Sequence, residues 1–256
     1  MKGGDSPMPE VSIITVCYNA RDTIRETIES VLAQTYTDYE YLIVDGKSKD
    51  DTVAIARSYE AAFGEKGVAY RIFSEPDKGI YDAMNKGIDL CAGRWVLMLN
   101  ADDLLCDGDV LKDVFGENRW AETDVLYGDS IRTNGVERRL DVADNPVDDL
   151  RKSKFFCHQA VFVRTELARE LKYDCRFRIC GDYDFFLRAY LRGKQFSHVP
   201  RAICVYSVLG TSNREYYRTI LDNYKVRAKN GLGKDGPGIY IKARIWSLKH
   251  RLFHEW

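Results

Sequence analysis

The sequence predicts an α/β fold in which a mostly parallel sheet is flanked by helices, and two observations support this prediction. The first is that short β-rich runs alternate with amphipathic helix patterns from about residue 11 to residue 103. Strands that alternate with helices in this way build a parallel sheet with right-handed crossovers. The second is that polar and acidic residues follow the predicted strands, which is the edge where such sheets bind ligands.

The regular part of the chain contains four strand patterns and three helix patterns. Short apolar runs of this kind are typical of strands buried in a parallel sheet. They lie at residues 11–17, 39–44, 68–73 and 95–99. In the helix patterns, apolar residues recur along one face. They lie at residues 24–32, 52–62 and 80–90.

After Asp103 the alternation weakens, although no linker separates the two halves of the chain. A polar, irregular stretch reaches about residue 154, and a loop is predicted at residues 207–213. The other predicted elements are helices at 110–120, 184–191 and 215–229 and strands at 125–128 and 160–163. We therefore expect one domain at residues 1–238, with halves at about 9–130 and 131–212, followed by a basic amphipathic helix at 239–256.

The composition excludes several classes of protein. With 38 Lys and Arg against 39 Asp and Glu, the net charge of -1 provides no broad surface for nucleic acid. No apolar run approaches the roughly 20 residues that span a bilayer, and the first residues lack the apolar core of a signal peptide. The seven cysteines include no C-x-x-C pair, which indicates a reducing compartment and no zinc site. We expect a cytoplasmic protein.

The predicted C-terminal helix has two interpretations. Ile241, Ile245, Leu248 and Leu252 recur at helical spacing, and basic residues occupy other positions around the helix. Such a helix can lie in the interface of the inner face of the cytoplasmic membrane, as a peripheral contact. The same pattern also serves a helix that packs on its own domain or on a partner in a homodimer.

An acidic segment, Asn100-Ala101-Asp102-Asp103, follows the fourth predicted strand. Adjacent carboxylates at the end of a buried strand repel each other and lose hydration, so a cation is expected to compensate them. Oxygen ligands suit Mg²⁺ or Mn²⁺, which then bridge to phosphate groups. The alternative is that Asp102 only caps the start of a helix. The apolar strand before the segment favours the metal site.

A second acidic position, Asp182, lies at the start of a helix pattern, after Gly181. A carboxylate at a helix N-terminus is stabilised as an anion, so it is available as a general base at neutral pH. An ordinary helix cap is again the alternative. His158, before the strand at 160–163, could contact phosphate or acceptor, or could be a hydrogen-bonded structural histidine.

Several segments together identify a family resemblance. They are Val-Ser-Ile-Ile-Thr-Val-Cys-Tyr-Asn-Ala at 11–20, Ser-Val-Leu-Ala-Gln-Thr-Tyr at 30–36, Tyr-Leu-Ile-Val-Asp-Gly-Lys-Ser-Lys-Asp-Asp-Thr at 41–52 and Asp-Lys-Gly-Ile-Tyr-Asp-Ala-Met-Asn-Lys-Gly at 77–87. In this order and spacing they resemble the family 2 glycosyltransferases, especially bacterial polysaccharide-assembly members. These are inverting enzymes with the GT-A fold, whose sheet is Rossmann-like. The resemblance covers residues 11 to about 208.

The resemblance implies a role for each matching residue. Asp102 and Asp103 match the region that holds the divalent ion and the donor diphosphate, and Asp182 matches the catalytic base. The donor half of the chain would be 9–130 and the acceptor half 131–212. The residues that would contact the nucleotide-sugar donor are Val16, Tyr18, Asp45, Lys78, Asp82, Asn85 and Asp102.

Two positions depart from the family pattern. Asn100 stands where the metal-binding motif usually begins with Asp, and Gly181 stands where Glu usually precedes the base, which leaves Asp184 as a fallback base. The resemblance implies an inverting transfer from a nucleotide-sugar, with UDP as the expected carrier, to a lipid-linked or growing surface polysaccharide. The alternatives are a sugar nucleotidyltransferase and a nucleotide-sugar-binding protein that has lost catalysis.

Overall fold

The computed structural model describes residues 8–117, 119–208, 215–233, 238 and 240–245. Four parallel strands form the first half of its sheet, in the spatial order β3-β2-β1-β4. They are β1 (Val11–Cys17), β2 (Tyr39–Asp45), β3 (Ala69–Ser74) and β4 (Trp95–Met98). This half is the α/β fold that the alternating pattern predicts, with strand ends shifted by one residue at most.

Helices connect these strands. They are α1 (Ile24–Leu32), α2 (Thr52–Arg57), α3 (Glu60–Lys66) and α4 (Ile80–Leu90). The helix predicted at 52–62 is divided into α2 and α3. At the break, the Tyr59 hydroxyl donates to Glu29 on α1 and accepts from Arg25 on the same helix. These two hydrogen bonds tie the segment between α2 and α3 to α1.

The second half of the sheet is mixed rather than parallel. β8 runs antiparallel to both β4 and β6, whereas β6 and β9 are parallel. The strands are β5 (Leu104–Leu105), β6 (Val125–Thr133), β7 (Arg138–Asp141), β8 (Val161–Arg164) and β9 (Phe196–Ser207). The sequence pattern missed β5, β7 and β9. Pro200 and a register shift at Gly128–Ser130 interrupt the alternation along the β6–β9 pair.

The remaining helices pack around this mixed half. They are α5 (Val110–Phe115), α6 (Thr165–Leu171), α7 (Gly181–Leu191) and α8 (Tyr216–Lys229), with 3-10 turns at Val147–Arg151 and His158–Ala160. Helix α7 begins three residues before its predicted start, so Asp182 lies inside its first turn. The α7 face that packs on the sheet includes Phe185 and Phe186, each 1% exposed.

Two apolar cores cover the two faces of the sheet. Alternation along β1 sends Ile14 into one core and Ile13 into the other. Helices α4, α6 and α7 close the first core, whereas α1, α3 and α5 close the second. Because β1 and β4 are parallel neighbours, their carboxyl ends lie at the same edge of the sheet. The polar residues that follow these two strands are therefore close together.

The carboxylate of Asp184 ties α7 to the following helix. It is fully buried, and it accepts hydrogen bonds from Arg188 Nε at 2.7 Å, Lys229 Nζ at 2.8 Å and Asn230 Nδ2 at 2.9 Å. A buried charge is stable only when it is paired in this way. The idea of Asp184 as a fallback base is therefore wrong, because its oxygens are sealed beneath α8.

Two predicted segments fall largely outside the described residues. Of the loop predicted at 207–213, residues 209–213 lie outside them, as do 239 and 246–256 of the predicted C-terminal helix. Residues 240–245 are helical, and membrane or dimer contact through this helix stays a prediction. Among the described residues, each helix is too short or too polar to cross a bilayer.

Close packing of α4 on the sheet gives a stability prediction. A Cβ at Gly87 would lie 2.6 Å from Ile14 Cγ2, so Gly87→Ala should lower the free energy of unfolding by about 1–3 kcal/mol. The matched control is Gly64→Ala on α3, where no atom lies within 4 Å and a small gain of up to about 1 kcal/mol is expected. Urea denaturation measures both, and equal effects of the two variants would contradict the packing argument.

Candidate active site

A cleft of about 1510 Å³ opens at the carboxyl ends of β1 and β4. It is lined by the segments that follow these strands, by the start of α4 and α7, and by residues 154–159. Of the residues singled out from the sequence, those that line the cleft are Val16, Tyr18, Lys78, Asp82, Asp102, Asp103, His158 and Asp182. The two acidic positions on which the sequence argument depends therefore face the same space.

At the end of β1, Tyr18 and Asp77 line a part of the cleft that forms a recess beside Gly46. Tyr18 is 56% exposed. A Cβ added to Gly46 would lie 3.4 Å from Tyr18 Cδ2 and only 2.3 Å from Asp77 Oδ2. Any side chain at position 46 would therefore collide with Asp77, so glycine is required there. An aromatic face beside a carboxylate suits a planar base that carries an N–H donor. Sequence reasoning missed Asp77, although the motif that begins with it was recognised.

Asp45 lies behind this recess rather than in the cleft. It is fully buried, and its Oδ2 accepts from the Ser48 N–H at 3.0 Å and from Ser74 Oγ at 2.6 Å. Ser48 Oγ donates to Asp45 and accepts from the Asn19 N–H at 2.7 Å. The structure therefore does not place Asp45 in contact with the donor space. It anchors the loop that presents Tyr18.

Asn85 is the second predicted donor contact that lies outside the cleft lining. Its Nδ2 donates to the Tyr173 carbonyl at 2.9 Å, and its Oδ1 accepts from the Tyr173 N–H at 2.8 Å. This amide thus joins α4 to the segment before α7. Because both ends of the side chain are engaged by backbone, Asn85 is a structural residue in this arrangement.

The acidic segment presents one exposed and one buried carboxylate. Asp102 is exposed, whereas Asp103 is 2% exposed and accepts from Gln159 Nε2 at 2.6 Å and the Ser207 N–H at 3.3 Å. Burial, followed by the nearby charge of Asp102, raises the pKa of Asp103 to about 7. Beside them, the Asn100 Oδ1 is buried and has no hydrogen-bond partner among the described residues.

These oxygens fit a divalent ion that is shared with a substrate. Among the described residues, no group of three or more His, Cys, Asp or Glu side chains could hold a metal by itself. Mg²⁺ and ions like it commonly bind through one or two carboxylates together with substrate phosphates. Asp102 faces the cleft and Asn100 Oδ1 is an unpaired oxygen, so these two residues could hold the ion, with Asp103 as a buried neighbour.

Asp182 is held by two cationic or potentially cationic side chains. It is 6% exposed, and its Oδ2 contacts Lys154 Nζ and lies 3.2 Å from His158 Nδ1. Burial alone would raise the pKa of Asp182, but Lys154 and His158 outweigh it and hold this pKa well below its ordinary value. The first turn of α7 also stabilises the anion. Asp182 is therefore a carboxylate at neutral pH.

His158 connects Asp182 to the acidic segment. Burial lowers the pKa of His158 despite its contact with Asp182, so the neutral ring is favoured. With the proton on Nδ1, the ring donates to Asp182, and its Nε2 can accept from Asn100 Nδ2 at 3.5 Å. This position supports the cleft interpretation of His158. The residue that the sequence did not single out at all is Lys154, which comes from the irregular stretch.

The structure explains why Gly181 stands before Asp182. A Cβ at position 181 would lie 2.7 Å from Cε2 of the Tyr81 ring, so no larger residue fits without moving that ring. The Tyr81 hydroxyl donates to the Ile179 carbonyl and lies 3.5 Å from Asp182 Oδ1. Tyr81 thus occupies the space beside Asp182 that a preceding Glu side chain would need.

Solved structures share this fold at low sequence identity. S. aureus TarS in complex with UDP matches with a TM-score of 0.68 and 17% identity, over 96% of this chain and 72% of that one. A mannosyltransferase from Pyrobaculum calidifontis, in complex with GDP-Man and Mn²⁺, matches with a TM-score of 0.67 and 18% identity, over 97% of this chain and 76% of that one. The fold is therefore GT-A-like.

Sequence relatives are closer. A PGL/p-HBAD biosynthesis glycosyltransferase of Mycobacterium bovis is 36% identical over 186 residues, which cover 71% of this chain and 70% of the relative. The putative glycosyltransferase EpsE of Bacillus subtilis is 28% identical over 203 residues, which cover 76% of this chain and 72% of EpsE. The model of glycosyl transferase family 2 matches residues 12–193, a span that contains the recess, the acidic segment and Asp182. The chain belongs to glycosyl transferase family 2.

Proposed function

We propose that this glycosyltransferase moves a sugar, with inversion, from a UDP-sugar to an acceptor hydroxyl and uses Mn²⁺ or Mg²⁺ to do so. One observation carries the proposal: Tyr18, the acidic segment and Asp182 all line the same cleft. Together they offer a surface for a base, oxygens for a metal ion beside a diphosphate, and a carboxylate for an attacking hydroxyl.

The donor would lie along the strand ends. Its base would stack on Tyr18 and donate to Asp77, and Asp102 would hold the ion beside the diphosphate. When bound, the ion would neutralise the negative charge that grows on the leaving diphosphate. Lys78 lines the same wall and adds positive charge, and the Asp82 carboxylate accepts from the Lys78 N–H at 3.0 Å, which fixes the entry to α4.

Asp182 would act as the general base. The acceptor oxygen attacks the anomeric carbon while its proton passes to a carboxylate oxygen of Asp182. The bond from the anomeric carbon to the diphosphate oxygen breaks, and the diphosphate leaves with the electron pair. Attack from the face opposite the leaving group inverts the configuration, and no second nucleophile is required.

The relatives support this choice over its rivals. TarS was solved with UDP and with UDP-GlcNAc, and the Pyrobaculum enzyme was solved with GDP-Man and Mn²⁺. A nucleotidyltransferase would be expected to carry a basic, glycine-rich loop after β1, where this chain has Tyr18-Asn19-Ala20-Arg21-Asp22. Loss of catalysis is disfavoured because Asp182 is retained and Tyr81 fills the space that Gly181 leaves.

The acceptor would carry an apolar group next to its reactive hydroxyl, as a lipid-linked glycan does. Leu140 is 58% exposed and Val142 is 48% exposed, and both line the cleft from the half of the chain that is expected to bind the acceptor. Sugars usually stack on aromatic rings, whereas exposed branched aliphatic side chains gain most by covering an apolar partner.

A thermal-shift screen tests the donor and the metal. UDP with Mn²⁺ should raise the melting temperature by several degrees, because a ligand at 100 times its Kd stabilises the folded state by about 2.7 kcal/mol. Asp102→Asn should remove the Mn²⁺-dependent part of the shift and keep the fold. GDP serves as the comparison nucleotide. If no nucleoside diphosphate shifts the wild-type protein with or without Mn²⁺, the proposed function is wrong.

Turnover of the Asp182→Asn variant tests the general base. We expect a loss of at least about 10²-fold in the rate of nucleotide release, because this is the lower range of general-base assistance. Binding of the nucleotide, followed by thermal shift, should persist, which separates a lost base from a collapsed cleft. Near-normal turnover in this variant would remove Asp182 from the role.

Paired glycosides test the apolar acceptor. Octyl glycosides should give a higher kcat/KM than the methyl glycosides of the same sugars. Leu140→Ser with Val142→Ser should reduce that preference by about thirtyfold, since the two partly buried aliphatic side chains together contribute about 2 kcal/mol. Leu191→Ser is the control, because Leu191 is 40% exposed but is not among the cleft-lining residues. An unchanged preference in the double variant would contradict the acceptor assignment.

A further inference from the structure

One oxygen of Asp182, Oδ2, is occupied by two side chains that line the cleft, Lys154 and His158. The other oxygen, Oδ1, accepts from the Tyr183 N–H at 2.8 Å and lies 3.5 Å from the Tyr81 hydroxyl. A general base needs a lone pair directed at the acceptor hydroxyl. Because Oδ2 is held by both Lys154 and His158, one of these two side chains must withdraw before Oδ2 can take the acceptor proton.

Lys154 is the group best able to withdraw. The Tyr183 N–H belongs to α7, and Tyr81 is fixed by its bond to Ile179 and by the packing of its ring on Gly181. His158 is held in a 3-10 turn. Lys154, in contrast, comes from a segment without regular structure, its side chain is 22% exposed, and it lines the same cleft as Asp102. Its long, unbranched side chain can turn towards a new anion without moving the backbone.

We propose that Lys154 exchanges partners when the donor binds, leaving Asp182 for the diphosphate and so releasing the base. The inference rests on the proposed function, because it needs a diphosphate in the cleft. Lysine binds phosphate as a point charge, and a diphosphate carries more charge than one carboxylate. After the exchange, His158 still donates to Asp182 and keeps the carboxylate oriented. Lys154 is then a positioning residue that couples donor binding to the activation of Asp182.

The exchange fits the balance of charge in the transfer. Before donor binding, Lys154 and Asp182 neutralise each other in a mostly buried setting, where an unpaired carboxylate would be costly. After donor binding, Lys154 is beside the group whose negative charge grows as the sugar bond breaks. The Asp182 oxygen that it leaves can accept the acceptor proton. The carboxylate is thus kept inactive until a leaving group is in place.

Nucleotide affinity in a double-mutant cycle tests the exchange without any need for an acceptor. The probe is UDP, or GDP if the wild-type protein prefers it, at constant Mn²⁺, with the corresponding monophosphate as comparison. Asp182→Asn should tighten diphosphate binding by about tenfold or more, the factor that corresponds to about 1.4 kcal/mol, because Lys154 no longer has to leave a charged partner. The monophosphate, which lacks the distal phosphate, should show little change.

The tighter binding must depend on Lys154. In a Lys154→Met background, Asp182→Asn should no longer tighten diphosphate binding. If Asp182→Asn acted only by removing the repulsion between its carboxylate and the diphosphate, the tightening would remain in this background. Asp141→Asn is the matched control, since it removes another cleft carboxylate whose partners are Arg132 and Tyr206. Thermal unfolding verifies that each variant is folded.

Unchanged or weaker diphosphate binding in Asp182→Asn would overturn the exchange, and so would tightening that persists without Lys154. Either result leaves the proposed function intact, because the wild-type protein still binds the nucleotide. If the wild-type protein binds neither UDP nor GDP, both the exchange and the proposed function are wrong.

Discussion

The cost of burying a carboxylate is the constraint on which this cleft depends. Asp45, Asp103 and Asp182 are each less than a tenth exposed, and each would be unstable without hydrogen-bond donors brought from elsewhere in the chain. Asp45 accepts a hydrogen bond from Ser74 in β3, and Asp103 accepts hydrogen bonds from Gln159 and from Ser207 at the end of β9. Asp182 forms an ion pair with Lys154. The elements that form the walls of the cleft are therefore joined by buried carboxylates that lie in the cleft or directly behind it.

The local parts of the fold could be predicted because they depend on local patterns. Helix α4 matches its predicted bounds, and β1 does too, because apolar periodicity and the following polar residues mark both ends. Strands β5, β7 and β9 were missed. The pairing of β9 with β6 joins residues about 70 positions apart, and a proline and a register shift disturb the alternation that would have revealed it.

The same limit applies to the site. Asp102 and Asp182 could be found because each directly follows a recognisable strand or begins a helix. Asp45 ends a recognisable strand and Asn85 lies within a recognised helix motif, yet their side chains turn inwards to Ser48, Ser74 and Tyr173, which no sequence pattern shows. Lys154 lies in a polar stretch with no motif, 28 residues before Asp182, so only the tertiary structure brings the two charges together.

The bonds of Asp184 have a consequence for where this catalytic module ends. The family model stops at residue 193, but two of the three side chains that compensate Asp184 are Lys229 and Asn230. A fragment cut at the family boundary would keep Arg188 and lose both of the others, so the helix carrying Asp182 would rest on an undercompensated anion. We therefore expect a stably folded fragment to reach at least residue 230, with α8 packed against the helix that carries Asp182.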